Sequence, residues 1–160
     1  MKQKRRTFLK TVGTSAVAIP HAPSLAADKA SPKKLNVGII GAGGRGGANT
    51  GGVMSEKIVA VCDVNGQTLD KVKRRFERFG AKHYTDWRDL LKQDNLDAVV
   101  VSTADHHHAP ISLSAMKKGL HVYCEKPLAH NVLEARKMRD TYASQRKKHK
   151  IATQMGTQIH

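Results

Sequence analysis

Cysteine is scarce in this sequence, because its 160 residues include only Cys62 and Cys124. Both lie in or beside predicted strands, so we expect two buried thiols that behave as small apolar side chains. The spacing of cysteine and histidine matches no common metal-ligand pattern. The run His106-His107-His108 does not change this expectation, because adjacent histidines in a loop rarely converge on one ion without a carboxylate and a fixed geometry. The sequence therefore predicts no metal site.

Acidic and aromatic residues are also few. Asp and Glu number 13 against 28 Lys and Arg, which gives a formal charge of +15, and aromatic residues make up 4% of the chain. A basic surface suits a phosphate-bearing ligand and raises nucleic acid as a partner. The basic residues are, however, spread over several predicted helices, and no nucleic-acid-binding motif is present. We therefore expect no nucleic-acid partner.

A long hydrophobic run is missing as well. The weakly apolar stretch at residues 11–19 is far too short to span a bilayer, so no membrane span is expected. It follows a paired-arginine motif, KRRTFLK at residues 4–10, and precedes small residues at 23–27 that suit a cleavage point. This arrangement is typical of a twin-arginine export signal, although an ordinary secretory signal or a disordered basic tail would share its features.

This pattern divides the chain into three parts. Residues 1–26 are predicted to be the signal, residues 27–34 a linker, and residues 35–160 a single domain with a core of its own. A twin-arginine route carries folded proteins, so a domain exported in this way could bind its cofactor in the cytoplasm first. The predicted destination is the periplasm or another extracytoplasmic space.

The domain opens with the stretch LNVGIIGAGGRGG at residues 35–47. Its short, β-branched beginning predicts a buried strand, and Gly41, Gly43 and Gly46 follow with the spacing G-x-G-x-x-G. In such loops the first glycine allows a tight turn, the second lets a pyrophosphate approach the backbone, and the third lets the next helix pack against the strand. The start of that helix offers free N–H groups and the positive end of its dipole to phosphates.

An acidic residue supports this interpretation. The apolar run at residues 58–62 ends in Asp63, which lies 22 residues after Gly41. This separation is close to the roughly 20 residues expected for a carboxylate that accepts a hydrogen bond from a ribose 2′-hydroxyl. Strand, glycine loop and acid together predict a dinucleotide site.

Strands and helices then alternate along the chain. Further strands are predicted at 97–102, 120–123 and 151–154, with a short extended piece at 83–84. Helices are predicted at 44–55, at 68–79, after Asp86, from Pro110 to Gly119, and from Asn131 to 149, where Asn131 and Glu134 form a capping box. This alternation predicts an α/β fold with a doubly wound parallel sheet.

Ligands of such sheets bind at the carboxyl ends of the strands. We therefore expect residues 41–46, 102–108 and 124–127 to line one crevice. Lys126 lies at a strand end between Glu125 and Pro127, where a lysine can donate to a hydroxyl or act as a general acid–base. A surface ion pair between Lys126 and Glu125 is the simpler alternative.

Three blocks of the sequence resemble one known family. GAGGRG with Asp63, STADHHHA and HVYCEKPL are together similar to the N-terminal Rossmann domain of the glucose–fructose oxidoreductase/inositol dehydrogenase (Gfo/Idh/MocA) family, over roughly residues 34–160. The resemblance implies an NAD(P)-dependent oxidoreductase that acts on a sugar, cyclitol or related polyol, and Asp63 would favour NAD over NADP because a 2′-phosphate would meet its negative charge. Lys126 would assist proton transfer beside the nicotinamide, and His108 would line the same pocket. The implied cofactor-binding residues are Gly41, Gly43, Gly44, Arg45, Gly46, Asp63, Ser102, Thr103, Glu125 and Lys126.

The sequence departs from the family pattern in two ways. Ala104 stands where members often have proline, and the chain ends at His160, where the family continues into a second α/β domain. We therefore expect a fragment whose exposed sheet surfaces favour self-association into a homo-oligomer. Two other functions stay open: an NAD-dependent glycosidase of the same superfamily, and a nucleotide-binding module without catalytic activity.

Overall fold

The computed structural model describes residues 33–157. The predicted export signal and nearly all of the predicted linker lie outside these residues, as do residues 158–160. Residues 33 and 34, the end of the predicted linker, are exposed and form no helix or strand. In the described part of the chain, no helix is long and apolar enough to cross a membrane.

A single sheet of six parallel strands forms the centre of the fold, and its order is β3-β2-β1-β4-β5-β6. The strands are β1 Asn36–Ile40, β2 Lys57–Cys62, β3 Lys82–Tyr84, β4 Ala98–Val101, β5 His121–Glu125 and β6 Thr153–Gly156. This is the order of the Rossmann fold, in which the chain direction across the sheet reverses between β1 and β4. The predicted doubly wound parallel sheet is confirmed.

Within residues 33–157, five α-helices connect the strands: α1 Arg45–Gly52, α2 Gly66–Phe76, α3 Trp87–Leu90, α4 Asp105–Lys117 and α5 Val132–His149. Two caps follow the sequence closely, since the side chain of Asp86 accepts from Arg88 N at the start of α3 and Asn131 accepts from Glu134 N at the start of α5. In the predicted capping box, the Glu134 carboxylate accepts from the amide of His130 at 2.8 Å rather than from the amide of Asn131.

The core forms two layers, one on each face of the sheet. Val37 and Ile39 of β1 contribute to one layer and Ile40 to the other, because successive side chains of a strand point to opposite faces. Both faces of the central strands are buried, which explains why they read as continuous apolar runs. Because these strands are parallel, the carboxyl ends of β1, β2, β4 and β5 lie at one edge of the sheet.

The structure corrects three predicted helix boundaries. The first helix ends at Gly52 rather than near residue 55. The second begins at Gly66, because Asn65 caps it by accepting from Gln67 N and Thr68 N, and it gives way to a 3₁₀ turn after Phe76. Phe79, which was expected on the apolar face of that helix, is therefore 45% exposed.

The fourth helix differs most from its prediction. We expected Pro110 in the first turn, but α4 begins at Asp105 and Pro110 lies inside it. His106, His107 and His108, which were expected in a loop, are therefore residues of the first turn. Because a helix turns about 100° per residue, the three rings do not share one side: the His108 ring is buried, while the rings of His106 and His107 are exposed with their centres 4.2 Å apart.

Candidate functional site

The glycine loop, residues 41–46, leaves β1 through a turn that only glycine can occupy. Gly41 has φ +83°, and a Cβ atom on it would lie 2.5 Å from the carbonyl oxygen of Ser102. A Cβ atom on Gly46 would overlap the carbonyl oxygen of Gly41. The first and third glycines therefore do what the motif requires, since one makes the turn and the other lets α1 pack against the end of β1.

The start of α1 faces this loop with two amides, those of Gly44 and Arg45, that have no hydrogen-bond partner among the described residues, whereas Gly46 N and Gly47 N donate to the carbonyl oxygens of Gly43 and Gly44. Gly44 precedes the helix with φ 49°, and among the described residues no side chain caps it. The first amides of a helix have no partner within the helix, and the helix dipole adds partial positive charge there. The side chain of Arg45 adds a full positive charge next to them. The start of α1 can therefore bind a phosphate through backbone N–H groups.

Asp63 lies directly after β2 and reaches the glycine loop. Its Oδ2 accepts from Ala42 N at 2.9 Å and from Gly43 N at 3.1 Å. Its Oδ1 accepts from Asn65 N at 2.9 Å. The carboxylate thus joins the loop after β1 to the loop before α2.

A cavity of about 660 Å³ opens beside these groups. Gly43, Asp63 and Thr68 form one side of its wall, while Ser102 and His107 from the end of β4 and the start of α4 form another. Trp87 and Arg88 line it as well, with the guanidinium carbon of Arg88 4.5 Å from the centre of the Trp87 ring. Its volume lies within the range of small-molecule and cofactor sites.

Glu125, at the end of β5, is held by side chains from α1. It is 5% exposed, and its Oε1 accepts from Asn49 Nδ2 at 2.9 Å and from Arg45 Nε at 3.2 Å. Asn49 Nδ2 also donates to Ser102 Oγ at 2.8 Å. These contacts bring together Arg45, Ser102 and Glu125, three residues that the sequence predicted for one site.

Asn49 was not predicted as a site residue. The available signal was its position four residues after Arg45, which places both side chains on the same face of α1. Nothing in the sequence pattern indicates that this face meets the end of β5, because that contact joins residues 76 positions apart.

The same contacts control the charge of Glu125. Burial by itself raises the pKa of this carboxyl, but the hydrogen bonds from Asn49 and Arg45 and the charge of Arg45 outweigh it, so the pKa lies below its ordinary value. Glu125 is therefore a buried carboxylate and not a proton donor at neutral pH. The alternative expectation was a surface ion pair between Glu125 and Lys126. The structure instead pairs Glu125 with Arg45.

His108 does not line this cavity, whereas His106 and His107 do, and its place in the nicotinamide pocket stays a prediction. Its ring is 1% exposed, with Nδ1 2.7 Å from the carbonyl oxygen of Pro127 and Nε2 3.0 Å from that of Thr103. The fourth residue of α4, His108, points toward the core, and this explains the difference. His108 links the loop after β4 to the loop after β5.

Lys126 lies directly after Glu125 at the carboxyl end of β5, and its side chain is exposed. The register pairs Val101 with Cys124, which places Ser102 and Thr103 beside the Glu125–Lys126 segment at the same edge of the sheet. An ammonium group here can reach a ligand that extends along this edge from the cavity.

The two cysteines are buried, as expected. Burial raises the pKa of the Cys62 thiol to about 12 and that of the Cys124 thiol to about 11. Residues 33–157 contain no group of His, Cys, Asp and Glu that could hold a metal ion.

Several known proteins resemble this chain. A glycosyl hydrolase family 109 protein of Shewanella pealeana is 34% identical over 172 residues, which covers 88% of this chain and 37% of that protein. An inositol 2-dehydrogenase of Rubrobacter xylanophilus is 36% identical over 110 residues, which covers 66% of this chain and 31% of that protein. This chain thus spans about a third of the length of these relatives.

A solved structure agrees with this relationship. The crystal structure of myo-inositol 2-dehydrogenase from Lactobacillus plantarum matches with a TM-score of 0.68 and 28% identity, over 78% of this chain and 36% of that one.

The family is shown by a match that covers most of the described residues. Residues 35–153 match the family described as "Oxidoreductase family, NAD-binding Rossmann fold". This range contains the glycine loop, Asp63, Glu125 and Lys126, and it confirms both the resemblance and the prediction of NAD as cofactor. The chain belongs to the Gfo/Idh/MocA oxidoreductase family and carries its NAD-binding Rossmann domain.

Proposed function

We propose that this protein is an NAD-dependent oxidoreductase of a sugar, cyclitol or related polyol, and that residues 33–157 supply its cofactor site. The observation that carries the proposal is the uncapped start of α1, which faces the glycine loop while Asp63 holds that loop from the end of β2. Phosphates would bind the amides at the start of α1, and the adenosine ribose would approach Asp63 in the cavity.

In this orientation the nicotinamide would lie toward the carboxyl ends of β4 and β5, where Ser102, Thr103 and Lys126 would hold it. Bound NAD would supply the chemistry of hydride transfer at its nicotinamide ring. Lys126, at the end of β5, would take the proton from the substrate hydroxyl as the hydride leaves the same carbon. Ser102 and Thr103 would contact the cofactor between its two ends. Glu125, bound by Asn49 and Arg45, would hold the strand end that carries Lys126.

In this proposal His108 is a positioning residue. Its ring lies between the carbonyl groups of Thr103 and Pro127, so it would set the distance between the loop after β4 and the segment that follows Lys126.

A binding titration with two matched glycine variants tests the cofactor site. Gly43→Ala adds a methyl group next to the cavity, where its nearest neighbour is the Thr68 side chain at 3.3 Å, a contact that a shift of a few tenths of an ångström relieves, so the fold should tolerate it. In Gly51→Ala of α1 the methyl group meets nothing within 4 Å among the described residues. We expect NADH fluorescence titrations to show at least about tenfold weaker binding for Gly43→Ala, because a pyrophosphate could no longer reach the backbone. Equal affinity of both variants would contradict the proposed phosphate position.

A turnover assay tests the reaction. We expect the full chain to form NADH, measured by absorbance at 340 nm, with at least one member of a panel of inositols, hexoses and their acids. Lys126→Met should lower kcat by about 10²–10⁴-fold while NADH binding changes little, because general acid–base catalysis contributes a factor of this size. A protein that binds NAD and oxidises no member of the panel would contradict the oxidoreductase proposal.

A second candidate is an NAD-dependent glycosidase. The glycosyl hydrolase family 109 protein of Shewanella pealeana, which aligns with 88% of this chain, favours it. In this case a p-nitrophenyl glycoside would release p-nitrophenol without net change in the ratio of NAD to NADH. Net NADH formation without glycoside cleavage would favour the dehydrogenase. Binding of NAD without either reaction would favour a non-catalytic module.

Export through the twin-arginine route is part of the same proposal. The KRRTFLK motif at residues 4–10 supports it. A fusion of residues 1–34 to a reporter that folds before transport should reach the periplasm, and replacement of Arg5 and Arg6 by lysine should stop it. Unchanged export of the double variant would contradict this route.

A further inference from the structure

We infer that Asp63 is a positioning residue that shapes the glycine loop before any cofactor binds, and that it keeps a single acceptor site for a ribose hydroxyl. This inference deepens the proposed cofactor site and depends on it only for the second part. The usual role expected of such an acid is contact with the ribose alone.

The hydrogen bonds of the Asp63 carboxylate support its role in shaping the glycine loop. Three backbone amides, those of Ala42, Gly43 and Asn65, donate to Asp63 at 2.9–3.1 Å. Two of them lie in the turn after β1, where Gly41 N also donates to the carbonyl oxygen of Cys62 at 2.9 Å. Charge-assisted hydrogen bonds of this kind are roughly twice as strong as neutral ones. The glycine loop is therefore bound to the end of β2 through both a backbone and a side-chain contact.

The network continues into the next helix. Asn65, whose amide donates to Asp63 Oδ1, caps α2 by accepting from Gln67 N and Thr68 N. The Thr68 side chain lies next to Gly43, since a Cβ atom on Gly43 would be 3.3 Å from Thr68 Cγ2. Asp63 thus stands between the two loops that form one side of the cavity, and the removal of its carboxylate frees both.

The number of acceptor sites on Asp63 supports the inference that one site is kept for a ribose hydroxyl. A carboxylate offers about four lone-pair positions, two on each oxygen. Among the described residues, two amides use those of Oδ2 and one amide uses one of Oδ1. One position on Oδ1 stays available, which suits one hydroxyl of an adenosine ribose. It also means that replacing Asp63 by a small neutral residue would remove the loop contacts together with the charge, so it would not produce an NADP-binding protein.

Hydrogen exchange of the full chain without cofactor tests the positioning role. In the wild type we expect slow exchange of the Ala42 and Gly43 amides. In Asp63→Ala both amides should exchange at least about tenfold faster, because the bonds that protect them are lost. Amides inside β1 and β4 should keep their protection, which would show that the fold is intact. Asp70→Asn, which removes an exposed carboxylate paired only with Lys73 within α2, is the matched control and should leave the loop amides unchanged. Equal exchange at Ala42 and Gly43 in wild type and Asp63→Ala would overturn the inference.

Binding of NADH and of its analogue without the adenosine 2′-hydroxyl tests both parts together. If Asp63 shapes the loop, Asp63→Ala should weaken the binding of both dinucleotides. The affinity for the analogue should fall at least about tenfold. The affinity for NADH should fall somewhat more, since the contact between Asp63 and the ribose 2′-hydroxyl is removed as well. A loss seen only with NADH, and absent with the analogue, would overturn the positioning role. Failure of the wild type to bind either dinucleotide would contradict the proposed cofactor site, while the exchange experiment would still decide the role of Asp63 in the loop.

NADPH provides the last measurement. We expect Asp63→Ser to bind NADPH no more tightly than the wild type does, because the glycine loop loses the hydrogen bonds of Ala42 N and Gly43 N to the carboxylate. A gain of tenfold or more in NADPH affinity would show that charge alone governs this position.

Discussion

Asn49 shows how a single side chain can organise the candidate site. Its amide nitrogen donates to Ser102 at the end of β4 and to Glu125 at the end of β5, while its backbone belongs to α1. Glu125 is buried, so each of its donors offsets part of the cost of removing a carboxylate from water. The residues predicted from motifs are therefore held in place by one that no motif contains.

We expect Asn49→Ala to destabilise the fold by about 1–3 kcal/mol, the cost of leaving a buried acceptor with one partner fewer. The measurement is the free energy of unfolding from urea titrations. Asn95→Ala, at an exposed asparagine, serves as the control and should change this free energy by less than about 0.5 kcal/mol. An equal effect of both substitutions would mean that Glu125 does not depend on Asn49.

The lowered pKa of Glu125 predicts a pH dependence with a definite sign. Because the folded protein favours its carboxylate form, its contribution to stability is complete above its ordinary pKa of 4.5 and is lost as the pH falls through the lower folded value. The difference in unfolding free energy between wild type and Glu125→Gln should therefore be largest near pH 7 and shrink below pH 4.5. Asp94→Asn, at an exposed carboxylate, controls for the lost charge. A difference that grows on acidification would reverse the sign and contradict the ion pair.

At the scale of elements, local signals predict some boundaries well and others poorly. Asn131 and Asp86 begin their helices as expected, because a side chain that caps a helix is visible in the sequence. The predicted start of α4 was wrong. Ala104 precedes the helix without a side-chain cap, so Pro110 was the strongest start signal in the sequence. A proline inside a helix forgoes one hydrogen bond, and here the surrounding packing of α4 against α5 and β5 outweighs that loss.

The packing of α1 against β1 predicts opposite effects for two glycines of the same helix. Gly46→Ala should destabilise the fold by about 1–3 kcal/mol, because the new methyl group would overlap the carbonyl oxygen of Gly41. Gly51→Ala should stabilise it by about 0.5–1 kcal/mol, since alanine favours the helix and meets no neighbour within 4 Å among the described residues. Urea titrations of both variants check this prediction, and a tolerated Gly46→Ala would show that the contact between loop and helix is loose.

At the scale of the whole molecule, the fold makes the Cys124 thiol report on opening of the protein. Cys62 lines the large cavity, whereas Cys124 is 1% exposed and lines a smaller cavity of about 250 Å³, and its raised pKa of about 11 makes it unreactive while the protein is folded. A thiol reagent can therefore modify it only when the protein opens.

Cofactor binding should slow this modification. A ligand present at 100 times its Kd stabilises the folded state by about 2.7 kcal/mol, so the labelling rate of Cys124 should fall by about 100-fold when NADH is added at that ratio. Mass spectrometry of labelled peptides distinguishes Cys124 from Cys62. AMP at the same concentration is the comparison ligand and should protect less if the whole dinucleotide binds. An unchanged rate with NADH would mean that cofactor binding does not stabilise this fold.

The sequence by itself determined the parallel sheet, the glycine turn after β1 and the family, because strand periodicity, glycine spacing and short motifs are local patterns. It also determined that Asp63, Ser102 and Glu125 lie at one edge, since the carboxyl ends of parallel strands share that edge. Only the tertiary structure decided that His108 turns into the core, that Arg45 and not Lys126 binds Glu125, and that Asp63 gives most of its acceptor sites to backbone amides. Apart from the local contact between Asp63 and Asn65, these contacts join residues that are 19 to 80 positions apart or depend on which way a helix turn faces, and no local pattern in the sequence records either.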